Sequence, residues 1–145
     1  MNTYSQRRIA TLMGFEAFTI ATIAPLHLTR VLAGGTKPFN PTAAGIAEAI
    51  IGAVLLAGAV ALVRERPDAA IAATAFAIVG FLVGLGFTLR GGDGIDVAYH
   101  ATMLPLLLLT LLVLWRSRRP TRRAYLETPR HRRPIDNPPP YSGQC

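Results

Sequence analysis

Four apolar stretches of about 20 residues each dominate this chain and constrain its fold more than any other feature. They cover residues 9–29, 43–63, 69–89 and 97–115. A helix needs about 20 apolar residues to cross the hydrocarbon core of a bilayer, so each stretch is long enough to span a membrane. Four successive spans joined by short connections predict an all-α chain, a transmembrane four-helix antiparallel bundle.

The remainder of the chain is short and basic, and leaves no room for a separate soluble catalytic domain. Residues 1–8 precede the first span, and residues 116–145 form a tail rich in Arg and Pro that is predicted to be disordered. The formal net charge of +7 comes largely from this tail, which we interpret as contact with anionic lipid rather than nucleic-acid binding. The arginines predicted to make that contact are Arg116, Arg118, Arg119, Arg122 and Arg123.

The distribution of Lys and Arg around the spans predicts their orientation. One side of a four-span arrangement receives the N-terminus, the connection 64–68 and the tail, which together hold most of the basic residues. The other side receives only Arg30, Lys37 and Arg90. Because cytoplasmic loops hold the excess of basic residues, both termini are predicted to be cytoplasmic, in a cell membrane. The alternative is that residues 1–33 are a cleaved signal peptide, since basic residues precede an apolar run there.

Aspartates and small residues predict how the helices begin and pack. Asp68 is placed to cap the third helix, and Asp96 to interact with the N-terminus of the fourth. The third span contains Gly80 and Gly84, and the second carries small residues at every fourth position. Small faces let helices approach closely in lipid, so we predict that this stripe packs inside the bundle rather than forming a homodimer face. The stripe consists of Gly45, Ala49, Ala53, Ala57 and Ala61.

Side chains that can carry a charge are rare inside the spans: they are Glu16, His27, Glu48 and His100. A charge in hydrocarbon is costly, so such residues are candidate functional sites by default. At a rise of about 1.5 Å per residue, three of them lie within about 8 Å of the predicted outer end of their spans, whereas Glu16 lies about 20 Å from it. The predicted outer cluster comprises His27, Glu48 and His100, with Asp96 and Tyr99 at its edge.

Several roles fit these residues. They can bond one another and fix the helix register, or form a proton or cation pathway with Glu16 as the deep titrating site. His27, Glu48 and His100 are also a competent zinc ligand set, and the two histidines are candidate axial ligands of a haem. No Ser lies in the spans and the single Cys145 lies in the tail, so nucleophilic catalysis finds no support.

We therefore favour a non-enzymatic membrane protein that binds or relays a proton, a cation or a small polar ligand. Two alternatives stay open at this point. One is a metal- or haem-dependent redox component of the membrane, and the other is a structural subunit or assembly factor of a membrane complex. The sequence names no cofactor, and it is compatible with a homo-oligomer or with another membrane partner.

The layout of residues 9–115 resembles the four-span plan of DoxX-like membrane proteins. The resemblance is carried by the number of spans and by the placements of Glu16, His27, Glu48 and the pair Tyr99 and His100. It implies a compact bundle in a bacterial inner membrane, of a kind sometimes associated with redox or quinone systems. A preference for Arg over Lys, together with many Ala and Gly residues, also favours a bacterial source.

Overall fold

The computed structural model describes residues 3–32 and 40–118, which form four helices without a strand in either range. The helices are α1 (Thr3–Leu28), α2 (Pro41–Val63), α3 (Pro67–Gly91) and α4 (Gly94–Arg118). The predicted all-α, four-helix fold is confirmed. Each helix is long and apolar enough to cross a membrane, which is compatible with a multi-pass membrane protein. Lys37 and the tail from residue 119 onward, including Arg119, Arg122 and Arg123, lie outside the described residues.

The helices pack as a ring in chain order. α1 contacts α2, α2 contacts α3, α3 contacts α4, and α4 closes the ring against α1. Residues 64–66 join α2 to α3, and residues 92–93 join α3 to α4. Such short connections make successive helices antiparallel. The C-termini of α1 and α3 and the N-termini of α2 and α4 therefore meet at one end of the bundle, which we call the α1–α2 end.

Apolar side chains cover both the inside and the outside of the ring. Met13 and Leu55 are fully buried in the core, together with residues from α3 and α4. Phe18, Val79 and Leu109 are among many large apolar side chains that are exposed on the outer surface. A helix that is apolar all round suits an environment that is apolar on every side. The outer surface of the bundle therefore fits lipid.

The start of α3 differs from the prediction that Asp68 caps it. Pro67 occupies the first helical position and Arg66 is the N-cap residue, with no side-chain hydrogen bond at the cap. Asp68 consequently lies one residue too far into the helix to act as its cap. Its Oδ1 instead lies 2.7 Å from Arg118 Nη2, in an exposed ion pair between the start of α3 and the end of α4.

The predicted small-residue stripe of α2 does not face the bundle interior along its whole length. Gly45 is buried, but Ala49, Ala53 and Ala57 are exposed, so the prediction is wrong for these three alanines. At 3.6 residues per turn, positions four apart drift by about 40° per step, so a strict stripe winds around the helix. The buried positions of α2 combine glycines with larger residues: Gly45, Glu48, Ile51, Gly52, Leu55, Gly58, Ala59 and Leu62.

Candidate functional site

A buried histidine joins three of the four helices at the α1–α2 end. His27, near the end of α1, has no exposed surface. Its Nδ1 lies 2.7 Å from Glu48 Oε2 on α2, and its Nε2 lies 2.8 Å from Asp96 Oδ1 on α4. Glu48 and Asp96 are only 4% and 1% exposed. We call His27, Glu48 and Asp96 the triad, and the structure places Asp96 in direct contact with His27 rather than at the edge of the predicted cluster.

Two local features of the sequence bring the triad together. Gly45 lets α1 and α2 approach closely, since a Cβ built there falls 2.8 Å from the Ala24 carbonyl oxygen. Asp93 caps α4, because its Oδ1 accepts hydrogen bonds from the backbone N–H groups of Ile95 and Asp96, each at 2.9 Å. The Asp96 side chain is therefore not needed as a cap. It lies in the first turn of α4, where the helix dipole favours a carboxylate.

With one proton in each of its two hydrogen bonds, the triad carries a net charge of −1. An imidazolium between two carboxylates has the same total charge as a neutral imidazole between a carboxylate and a protonated acid, namely one negative charge. The second oxygens, Glu48 Oε1 and Asp96 Oδ2, are buried and have no hydrogen-bond partner among the described residues. Arg30 and Arg90, the basic residues described near this end, are exposed and form no ion pair with the triad.

His100 lies beside the triad and is connected to it through the backbone. Its Nδ1 lies 2.8 Å from the carbonyl oxygen of Asp96, one turn earlier in α4. A carbonyl only accepts, so Nδ1 carries a proton, and Nε2 of the neutral ring is an acceptor. The ring packs against Phe81 at 5.1 Å and Tyr99 at 5.3 Å between centroids. The hydroxyl of Tyr99 is buried without a partner among the described residues.

The room for the His100 ring is provided by Gly84 on α3. A Cβ built on Gly84 falls 2.5 Å from His100 Nε2, so any side chain there displaces the ring. We expect Gly84→Ala to lower the unfolding free energy by about 1 to 3 kcal/mol, the usual cost of overpacking. Thermal denaturation in detergent measures this effect. Gly86→Ala on the same helix is the matched control, since nothing lies within 4 Å of its Cβ position; equal stability of the two variants would contradict the contact.

Glu16 forms a separate buried site in the middle of the bundle. It has no exposed surface, and its Oε1 accepts a hydrogen bond from Thr110 Oγ1 of α4 at 2.8 Å. The buried apolar side chains of Ile20 and Ala24 lie between Glu16 and His27 on the inner face of α1. The structure thus brings His27, Glu48 and Asp96 together, with His100 and Tyr99 beside them, and leaves Glu16 apart.

Two site residues were missed or misjudged from the sequence, although a signal for both was present. From the sequence, Thr110 is not predicted as a partner of Glu16, and Asp96 is predicted only at the edge of the cluster. Both belong to one buried stripe at helical spacing on α4, which comprises Asp96, His100, Met103, Leu104, Leu107, Thr110 and Leu114. Tracing this stripe upstream from His100 by one turn leads to Asp96, and tracing it downstream leads to Thr110.

The hydrogen bonds of the His27 ring nitrogens restrict how this residue could bind a metal ion or a haem. Both are engaged by carboxylates, so a metal ion would have to displace one of these bonds to be bound by His27. Within residues 3–32 and 40–118, no group of three or more His, Cys, Asp or Glu side chains has an arrangement suited to holding a metal ion. The triad as it stands is a hydrogen-bonded arrangement of acids and base.

A cavity of about 400 Å³ lies between α2 and α3, next to the triad. Glu48 and His100 form part of its wall, and most of the rest is apolar. Its lining residues are Asn40, Ala43, Ala44, Ala47, Glu48, Ile51, Gly80, Phe81, Val83, Gly84, Phe87, Thr88 and His100. The buried polar groups are therefore adjacent to a space that is large enough for a small molecule.

Comparison with known proteins adds no family assignment. No protein-family model matches the chain. The searches of curated proteins and of solved structures likewise returned no significant match.

Proposed function

We propose that this chain is a small, non-enzymatic membrane protein that binds a proton, a cation or a small polar ligand at the triad. The observation that carries the proposal is that Glu48 Oε1 and Asp96 Oδ2 are buried without a partner among the described residues. With one proton in each hydrogen bond of the triad, the three groups carry one negative charge. An uncompensated charge in a low-dielectric interior is expensive. A third proton or a positively charged ligand would remove that cost, so the triad is suited to binding either one.

The groups that face the triad support a site for positive charge. α1 contributes His27, α2 contributes Glu48, and α4 contributes Asp96 with His100 and Tyr99 beside it. The described residues of α3 that pack here, such as Phe81 and Thr88, carry no charge. Since two acids face one engaged histidine, a bound cation meets attraction and little repulsion.

We further propose a location in the cell membrane with both termini in the cytoplasm, which puts the triad near the outer face. The excess of basic residues on the predicted inner side supports this orientation. The four apolar helices are compatible with the DoxX-like plan, and membership in that group is likewise a proposal. We also propose that the outer surface contacts lipid, that the chain forms a homo-oligomer and that its source is bacterial.

Infrared difference spectroscopy of the protein in lipid tests whether the triad takes up a proton. A protonated carboxyl group has a carbonyl stretch that a carboxylate lacks. As the pH is lowered, we expect a band of this kind to grow when the triad binds its third proton. We expect the titrating band to be lost in Glu48→Gln or Asp96→Asn.

Glu16→Gln is the matched control for this experiment, since it removes the other buried acid of the bundle without touching the triad. The titrating band should survive this substitution. A band that does not change with pH, or one that persists in both triad variants, would contradict proton binding at the triad.

A further inference from the structure

The cavity between α2 and α3 has a wall that offers hydrogen-bond acceptors. Glu48 is part of the wall, and its Oε1 is buried without a partner among the described residues. His100 is also part of the wall, and its Nε2, the acceptor nitrogen, forms no hydrogen bond to a described residue. A ligand that satisfies these atoms must bring donors, and the net negative charge of the triad favours a donor that is positively charged.

The remainder of the wall is apolar and reaches the flank of the bundle. Phe81 and Ile51 are buried in the inner part of the wall. Ala47, Val83 and Phe87 also line the cavity, and they are exposed on the outer surfaces of α2 and α3. Because these residues lie within helices apolar enough to span a membrane, the cavity opens toward lipid rather than only toward water.

From these features we infer that the α2–α3 cavity binds a small amphipathic amine in its ammonium form, which enters from the bilayer. The ammonium group bonds the acceptors of Glu48 and His100, and the apolar body packs against Phe81 and Ile51. Aromatic rings near the head group add a favourable interaction with the cation. A volume of about 400 Å³ lies in the range of pockets for small ligands. This inference rests on the proposed function, since the ammonium group takes the place of the third proton.

Photolabelling of the full chain in phosphatidylcholine nanodiscs tests this site. The probe is a diazirine derivative of phenethylamine, and labelled residues are mapped by mass spectrometry. We expect labels on the residues of α2 and α3 that line the cavity. Unlabelled phenethylamine should compete at concentrations about 10- to 100-fold lower than phenethyl alcohol, because the alcohol lacks the charge-assisted hydrogen bond.

Variants separate specific occupation of the cavity from general partitioning of the probe into lipid. Ala47→Phe places a large side chain at the exposed rim of the cavity and should abolish the competed labelling. Ala57→Phe is the matched control, since Ala57 is an exposed alanine of the same helix that does not line the cavity. Glu48→Gln should weaken competition by the amine by about 10-fold or more, while Glu16→Gln should leave it unchanged.

The outcomes distinguish this inference from the proposed function. Labelling that survives in Ala47→Phe, or equal competition by the amine and the alcohol, would overturn the amine site. If the infrared band that depends on Glu48 were still present in that case, proton binding at the triad would stand without a ligand in the cavity. Competed labelling that is lost in Ala47→Phe and weakened in Glu48→Gln supports the inference directly.

Discussion

Replacing His27 with leucine should destabilise the bundle more than any other single change at the site, by about 3 to 5 kcal/mol. Among the described residues, His27 is the group that bonds both Glu48 and Asp96, so the substitution leaves two buried carboxylates without this partner. Two acids in that position must then repel each other, take up protons or draw in water. Reversible unfolding of the purified protein in mixed detergent micelles measures the loss.

A triple variant separates charge from packing in this experiment. Combining His27→Leu with Glu48→Gln and Asp96→Asn removes the unpaired charges while keeping the volume of both side chains nearly constant. We expect this variant to recover more than half of the lost stability. If it were as unstable as His27→Leu alone, the loss would come from the shape of the imidazole and not from the two carboxylates.

The second large effect is expected for Gly45→Val, which should cost about 3 kcal/mol, the upper part of the usual range for overpacking. A Cβ built on Gly45 falls 2.8 Å from the Ala24 carbonyl oxygen and 3.1 Å from the Leu28 backbone nitrogen. Backbone atoms cannot rotate out of the way as a flexible side chain can. The helices α1 and α2 must therefore separate at the level of the triad, which stretches the contact between His27 and Glu48.

Gly14→Val provides the matched comparison for this prediction. Gly14 also lies in a long helix, but nothing is found within 4 Å of its Cβ position. Its substitution by valine therefore tests the intrinsic effect of a β-branched residue in a helix. Thermal unfolding of both variants side by side, together with the infrared band of the triad, measures the difference. Equal melting temperatures would show that α1 and α2 accommodate a larger side chain at position 45 without a loss of stability.

Much of the architecture follows from the sequence because the bilayer allows so few solutions. An apolar stretch of about 20 residues has to satisfy its backbone internally, and a helix is the only single segment that does so. The depth of a residue in the membrane can also be predicted, since each residue adds a fixed rise along the helix axis. For that reason the sequence places His27, Glu48 and His100 at one level of the bundle.

The rotation of each helix about its axis is harder to predict from the sequence than the depth of its residues in the membrane. Every helix here is apolar on most of its surface, so hydrophobicity gives little indication of which side faces the neighbours. The exposed Ala49 and Ala53 illustrate this, because the stripe of small residues predicts a packing face that the structure does not show there. The contact of Asp96 with His27 depends on the same rotation, and also on Asp93 acting as the cap of α4.

The two polar contacts between α1 and α4 can form only after both helices have been synthesised. Glu16 and His27 lie in α1, which leaves the ribosome before α4, the helix of Thr110 and Asp96. Until α4 is inserted, Glu16 lacks its bond to Thr110 and His27 lacks its bond to Asp96. Polar groups of this kind are costly in hydrocarbon. A chain that is truncated before α4 therefore retains polar groups in α1 without their partners on α4. We therefore expect the insertion of α4, which closes the ring, to lower this cost.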